Sequence, residues 1–61
     1  MGNNILEAVF VFNNAERTTE LRVPANSIEQ RSAWVLALLD DKVVGGVKEE
    51  YLRAFYLTLN R

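Results

Sequence analysis

The chain has 61 residues and a mass of 7.0 kDa, which leaves room for one small domain. Its residues are 49% hydrophobic and 25% charged, with a single proline, a composition that predicts a packed globular chain rather than a disordered one. The sequence has no histidine and no cysteine, which removes the commonest general bases, zinc ligands and thiol nucleophiles. We therefore expect a protein that is not an enzyme and that binds no metal or cofactor.

The charge balance limits the kinds of partner that the protein is expected to bind. Seven Lys and Arg stand against eight Asp and Glu, giving a net charge of −1. Because the basic residues are scattered, DNA is a disfavoured partner. No apolar run approaches the ~18 residues of a membrane span, so no membrane contact is expected. The N-terminal residues lack the basic region of a secretory signal, which predicts a cytoplasmic location by default.

Two strands are predicted first. Residues 5 to 12 are dense in β-branched and aromatic side chains and are followed by Asn13-Asn14, which favours a strand that ends in a turn. Residues 17 to 23 alternate polar and apolar side chains and stop at Pro24, which indicates a strand with one buried face. The two segments together predict an antiparallel β-hairpin.

The hairpin has a preferred register in the sequence. A turn over residues 13 to 16 would place Phe12 opposite Arg17. The same register would place Glu7 opposite Arg22, a charge pair of a kind that stabilises a β-ladder by about 0.2–1 kcal/mol. The sequence therefore predicts an ion pair on the outward face of the hairpin.

Two helices are predicted after the hairpin. Asn26-Ser27 fits a helix N-cap, and residues 28 to 41 follow it as the first helix. Gly45-Gly46 suits a turn, and residues 47 to 59 follow as the second helix. The fold class predicted is α+β, in the order ββαα. The apolar residues at helical spacing on the first helix are Ile28, Val35, Leu38 and Leu39.

Self-association is expected because a domain this small has a thin core. The first strand is apolar on both faces, and in the predicted register Ile5, Val9 and Val11 point away from the helices. These three residues are the predicted oligomer interface of a homodimer or larger ring. The alternative is a monomer in which the second helix crosses to that face of the sheet.

No catalytic group is identified. Asp40-Asp41 and Glu49-Glu50 are the only adjacent carboxylates, and neighbouring residues on a helix point about 100° apart. They are better interpreted as a helix-end charge pair and as partners of a helix dipole. The segment from Gly45 to Lys48 lacks the spacing of a phosphate-binding loop.

The candidate partner-binding residues are exposed charges and aromatic anchors. The leading hypothesis is a small, self-associating protein-binding regulator or inhibitor, of the kind that phages and plasmids encode as accessory proteins. A purely structural subunit, whose only ligand is itself, is an alternative. Aromatic residues at helical spacing usually belong to a core, so the role of Trp34 as core or interface stays open. The candidate partner-binding residues are Glu20, Arg22, Trp34, Arg53 and Tyr56.

A second alternative rests on a resemblance. From Arg17 to Arg61, a strand, a helix, a glycine-bearing turn and a helix follow one another, which resembles the ribbon-helix-helix DNA-binding proteins. The resemblance implies that two chains pair their strands and insert the ribbon into the major groove. Thr18, Glu20 and Arg22 would then face bases, and the amides of Gly46-Val47 would hold a phosphate.

Overall fold

The computed structural model describes the backbone of residues 5–60 and the side chains of residues 6–59. These residues contain no α-helix, and so none long and apolar enough to cross a bilayer. The predicted ββαα fold is therefore wrong, and the protein is all-β. The elements are β1 (Ile5–Asn14), β2 (Arg17–Pro24), β3 (Ser27–Arg31), β4 (Trp34–Leu39), β5 (Lys42–Lys48), the 3-10 turn η1 (Glu49–Tyr51) and β6 (Leu52–Asn60).

The strands form two antiparallel sheets, in the orders β2-β1-β6 and β3-β4-β5. The chain changes sheet between two consecutive residues. The Ala25 amide donates to the Leu6 carbonyl over 3.0 Å in the first sheet, and the Asn26 amide donates to the Leu38 carbonyl over 2.9 Å in the second. Pro24, which has no amide hydrogen, lies just before this corner. Such a corner lets one chain segment cover the face of the sheet it has left.

The core lies between the two sheets. Ala8 and Phe10 of β1 are fully buried and belong to the same cluster as Val35, Ala37 and Val47 of the second sheet. Alternate residues of a strand point to opposite faces, so this cluster uses every second position of β1 and β4. Removal of these side chains from water is the main stabilising contribution of the fold.

The first hairpin has the predicted strands but a register displaced by two residues. Phe12 lies opposite Thr19 rather than Arg17, because the turn is confined to Ala15 and Glu16, with Ala15 at a φ of 57°. A shift of two residues keeps every side chain on its predicted face.

The predicted ion pair survives this shift. Arg22 Nη1 lies 3.2 Å from Glu7 Oε1, although the register partner of Glu7 is Pro24. The long arginine side chain spans the diagonal, a reach that cross-strand neighbours in a sheet permit. The prediction of a Glu7–Arg22 pair is therefore confirmed.

The first predicted helix is replaced by a β-hairpin. Residues 34 to 39 are uninterrupted apolar residues, and such a run fits a buried strand as well as a helix. Asp40 and Asp41, interpreted from sequence as a helix end, have φ values of 52° and 67°. Positive φ at both central positions makes a type I′ hairpin turn. The predicted cap residue Asn26 instead binds this turn, with its Nδ2 3.2 Å from Asp40 Oδ1.

The second predicted helix is also wrong, and with it the ribbon-helix-helix resemblance. Gly45 and Gly46 lie inside β5 rather than before a helix. A Cβ on Gly46 would lie 2.7 Å from Leu36 Cδ2, so the missing side chain leaves room for Leu36 on the neighbouring strand. The amides of Gly46-Val47 consequently open no helix and present no helix N-terminus to a phosphate.

Candidate functional site

A groove of about 470 Å³ opens between the tip of the β1–β2 hairpin and the segment where β5 passes into η1. This volume lies in the range of about 300–1,000 Å³ that is usual for ligand sites. The groove takes residues from five elements, β1, β2, β4, β5 and η1, and from the β1–β2 turn. Its lining consists of Phe12, Asn13, Asn14, Ala15, Leu21, Trp34, Gly46, Val47, Lys48 and Tyr51.

Three aromatic residues dominate the lining. Phe12 is half-buried, while Trp34 and Tyr51 are 47% and 48% exposed. Aromatic side chains that are half exposed around a cavity offer rigid apolar surface to a ligand, and their polar tips can still donate hydrogen bonds. The groove is therefore apolar in its walls and polar at the indole and phenol groups.

The backbone ties the segments that carry Trp34 and Tyr51 together. The Glu49 amide donates to the Ala33 carbonyl over 2.8 Å, which joins η1 to the β3–β4 turn. Gln30 Nε2 also donates to a carboxylate oxygen of Glu49. Trp34 follows Ala33 directly and is paired with Lys48 at the end of β5. These contacts together hold the elements that carry the two aromatic residues next to each other.

The groove carries little net charge. Among its lining residues Lys48 is the one cation, and there is no carboxylate. Lys48 Nζ lies 3.8 Å from Glu50 Oε1, outside the groove. Asn13 and Asn14 add neutral amide groups at the hairpin end. A ligand of this groove would be recognised by apolar contact and by neutral hydrogen bonds.

The stronger charge pairs lie outside the groove lining. Arg22 Nε lies 2.9 Å from Glu20 Oε1, and hydrogen bonds to Glu20 and then to Glu7 raise the pKa of the arginine. Arg31 Nε donates to Glu29 Oε1 over 2.8 Å, and this hydrogen bond lowers the pKa of the Glu29 carboxyl. Arg31 is thus engaged by a carboxylate on its own strand, and Arg22 by one on its own strand and by Glu7 on β1.

Of the five predicted partner-binding residues, only Trp34 lies in the groove. Glu20 and Arg22 pair with each other on β2. Arg53 lines a separate cavity of about 400 Å³ beside β6, and Tyr56 is exposed on β6. The structure does not bring these five residues together into one site.

The predicted oligomer interface consists of Ile5, Val9 and Val11, and its described side chains are largely buried. Val9 is fully buried and Val11 is half-buried, while the side chain of Ile5 lies outside the described residues. Val9 has Arg22 and Tyr56 as its register partners on either side. Val9 therefore offers no exposed surface to a second copy. Within this sheet, the large exposed apolar side chains lie on β6 instead.

The predicted partner-binding residues do not include the other nine residues of the lining. Phe12, Asn13, Asn14 and Tyr51 are the members of this set that carry aromatic or amide groups. The sequence pattern indicates only a strand end at Asn13-Asn14. It places Tyr51 on a helix, where aromatic residues are expected to belong to a core. The aromatic and amide composition at the end of the first predicted strand is a signal for Phe12, Asn13 and Asn14, but it does not extend to Tyr51. These residues lie close together only because β4 to β6 are strands, which the sequence pattern does not predict.

Within the described residues, no group of three or more Asp and Glu side chains is arranged to hold a metal ion. Comparison of the chain with protein-family models, with curated protein sequences and with solved structures gives no match. The groove is accordingly interpreted from its own chemistry.

Proposed function

We propose that the chain is a non-catalytic protein-binding module whose groove takes an extended, proline-rich segment of a partner protein. The observation that carries this proposal is the pair of half-exposed rings, Trp34 and Tyr51, in one groove with Phe12. A module of this kind would act as a regulator or inhibitor by occupying a segment that its partner needs.

The chemistry of the groove suits a polyproline II ligand. Such a segment has no internal hydrogen bonds and a backbone that is already extended, so it loses little entropy on binding. The proline rings of such a segment fit between aromatic side chains, and its backbone carbonyl groups need hydrogen-bond donors. The indole N–H of Trp34, the hydroxyl of Tyr51 and the amides of Asn13 and Asn14 supply donors at the groove.

Charge argues against nucleic acid as the occupant. Binding to a phosphate backbone needs several cations and is weakened by salt in proportion to their number. The groove has only Lys48 as a cation, beside Glu50. Stacking of bases on Trp34 and Tyr51 would therefore lack the electrostatic contribution that usually accompanies it.

The test is a titration of the protein with a short polyproline peptide, followed through the fluorescence of Trp34, the sole tryptophan. We expect saturable binding with a blue-shifted emission, because the ring passes from water into an apolar contact. Trp34→Ala, followed by NMR, should weaken binding at least tenfold, which corresponds to about 1.4 kcal/mol.

Tyr56→Ala is the matched control, because Tyr56 is similarly exposed but lies outside the groove lining. It should leave peptide affinity unchanged. A glycine-serine peptide of equal length should not bind. If polyproline fails to bind, or binds Trp34→Ala as well as wild type, the proposal is wrong. Binding of a DNA duplex at about 0.15 M salt would assign the groove to nucleic acid instead.

A further inference from the structure

The four edge strands of the two sheets, within residues 5–60, differ in how they are protected against pairing with another chain. Edge strands in soluble proteins usually carry charges, proline, glycine or a bulge. Three of the four do so here. Their protecting features are Glu20, Arg22 and Pro24 on β2, Glu29 and Arg31 on β3, and Lys42, Gly45, Gly46 and Lys48 with a bulge at Val44 on β5.

The fourth edge, β6, lacks these features over most of its length. Residues 54 to 60 contain no charge, proline or glycine. They pair with β1 without interruption from Ala54 to Asn60, and the one irregularity lies at Arg53. This regular stretch is also apolar and accessible, since Phe55, Leu57 and Leu59 are 48%, 39% and 53% exposed.

We propose that β6 pairs with β6 of a second copy of the chain, antiparallel and about a twofold axis at Leu57. This axis is the midpoint of the regular stretch, and it places Phe55 opposite Leu59 of the copy. Tyr56 then lies opposite Thr58 of the copy on the outer face. A twofold axis one residue earlier would move the register by two positions and place Leu59 opposite Arg53 of the copy.

The stretch is therefore complementary to itself. In the proposed register every exposed apolar side chain on the inner face meets another, and no charged residue enters between 54 and 60. Closed twofold pairing is also the commonest symmetry of soluble homo-oligomers. The result is one continuous sheet of six strands across the two copies, made from the three strands that each copy contributes.

The contact area predicts a reversible dimer. Phe55 and Tyr56 are 48% and 46% exposed. With about 200 Å² for a whole aromatic side chain, and with the two leucines added, roughly 350 Å² of side-chain surface is available per chain. That is well below the ~800 Å² per partner of a standard stable interface. The backbone ladder adds to it, so we expect a dimer that forms as concentration rises.

The test compares two double variants by sedimentation equilibrium over a range of concentrations. Tyr56→Lys with Thr58→Lys sets ammonium groups opposite each other twice across the axis, and like charges in register are destabilising. Tyr56→Glu with Thr58→Lys sets opposite charges there instead. We expect the first variant to stay monomeric and the second to dimerise at least as readily as wild type.

Thr18→Lys is the control, because it adds a lysine to the other edge of the same sheet, and it should leave the dimer intact. Far-UV circular dichroism of each variant establishes that the monomer is folded. A wild-type protein that stays monomeric at millimolar concentration, equal dimerisation of both double variants, failure of the second to dimerise, or closed rings larger than a dimer would each overturn the proposal. None of these outcomes depends on the peptide groove.

Discussion

The two strands that flank β1 in the first sheet have the same central partner and different surroundings. Thr19, Leu21 and Val23 of β2 are half-buried on the inner face, and Gly45 of β5 lies so close that a Cβ there would be 3.4 Å from Val23 Cγ1. On β6, Phe55 and Leu57 share that inner face but are exposed.

The difference in burial between β2 and β6 arises from the position of the second sheet rather than from the hydrophobicity of the two strands. The corner at Ala25 directs the chain over the core from the β2 side, and β5 packs against β2. β3 of the second sheet reaches β6, but it leaves Phe55, Leu57 and Leu59 exposed. The contrast shows that an apolar alternation on a strand predicts a buried face only when another layer reaches it.

The largest expected loss of folding stability tests this contrast in burial at two residues that are paired across neighbouring strands. Phe10 lies opposite Phe55 on β6, and it is fully buried whereas Phe55 is half exposed. Phe10→Ala should destabilise the fold by about 3–5 kcal/mol. Phe55→Ala should cost about half as much or less, since half of that ring is already in water. Urea unfolding monitored by circular dichroism measures both, and equal losses would contradict the difference in burial.

A smaller loss of folding stability tests how closely β5 packs against its neighbouring strands. Gly46→Ala would place a methyl 2.7 Å from Leu36 Cδ2 and 3.1 Å from the Val35 carbonyl oxygen. Overpacking of this kind costs about 1–3 kcal/mol.

Gly45→Ala is the matched control for that substitution. Its methyl would meet Val23 at 3.4 Å, which is ordinary contact, and no glycine has a positive φ in the described residues. The change should therefore be close to neutral, or stabilising by about 0.4–1 kcal/mol through the unfolded state. Thermal unfolding of the two variants should rank Gly46→Ala below Gly45→Ala, and the reverse order would show that β5 lies differently against β2 and β4.

The smallest expected change in folding stability concerns the charge pairs on the edge strands other than β6. Arg31 lowers the pKa of Glu29 on β3, so the pair stabilises the fold above the unfolded carboxyl pKa. This contribution is lost as the pH falls through the lower, folded pKa. Both groups are exposed, so the change in stability is small. In Arg31→Gln the Glu29 pKa should rise toward its ordinary value in an NMR titration, whereas Arg17→Gln should leave it unchanged.

Sequence reasoning predicted the first hairpin and failed beyond it, for a physical reason. β1 and β2 carry β-branched residues, alternation and clear turn residues, so local signals agree. Trp34 to Leu39 is an unbroken apolar run, which a helix or a buried strand fits equally well. The two turns around it use Ser32 and Asp40-Asp41 at positive φ instead of the glycine or proline that usually marks a turn.

The site was less predictable than the fold. Trp34 is among the predicted partner-binding residues, but the groove around it forms only where a hairpin tip meets the 3-10 turn. The contacts that assemble it, such as the Glu49 amide to the Ala33 carbonyl, join residues whose pairing no local pattern reveals. Gly45-Gly46, which mark a turn in sequence terms, serve here to let neighbouring strands approach.

The most direct test of an open β6 edge is amide hydrogen exchange of residues 52 to 60 by NMR. Along an edge strand, alternate amides point to the neighbouring strand and away from it. In dilute solution we expect alternate amides of β6 to be protected by β1 and those between them to exchange rapidly. The rapid ones should slow as concentration rises and two copies pair. Protection of consecutive amides, or rapid exchange that does not change with concentration, would contradict the account.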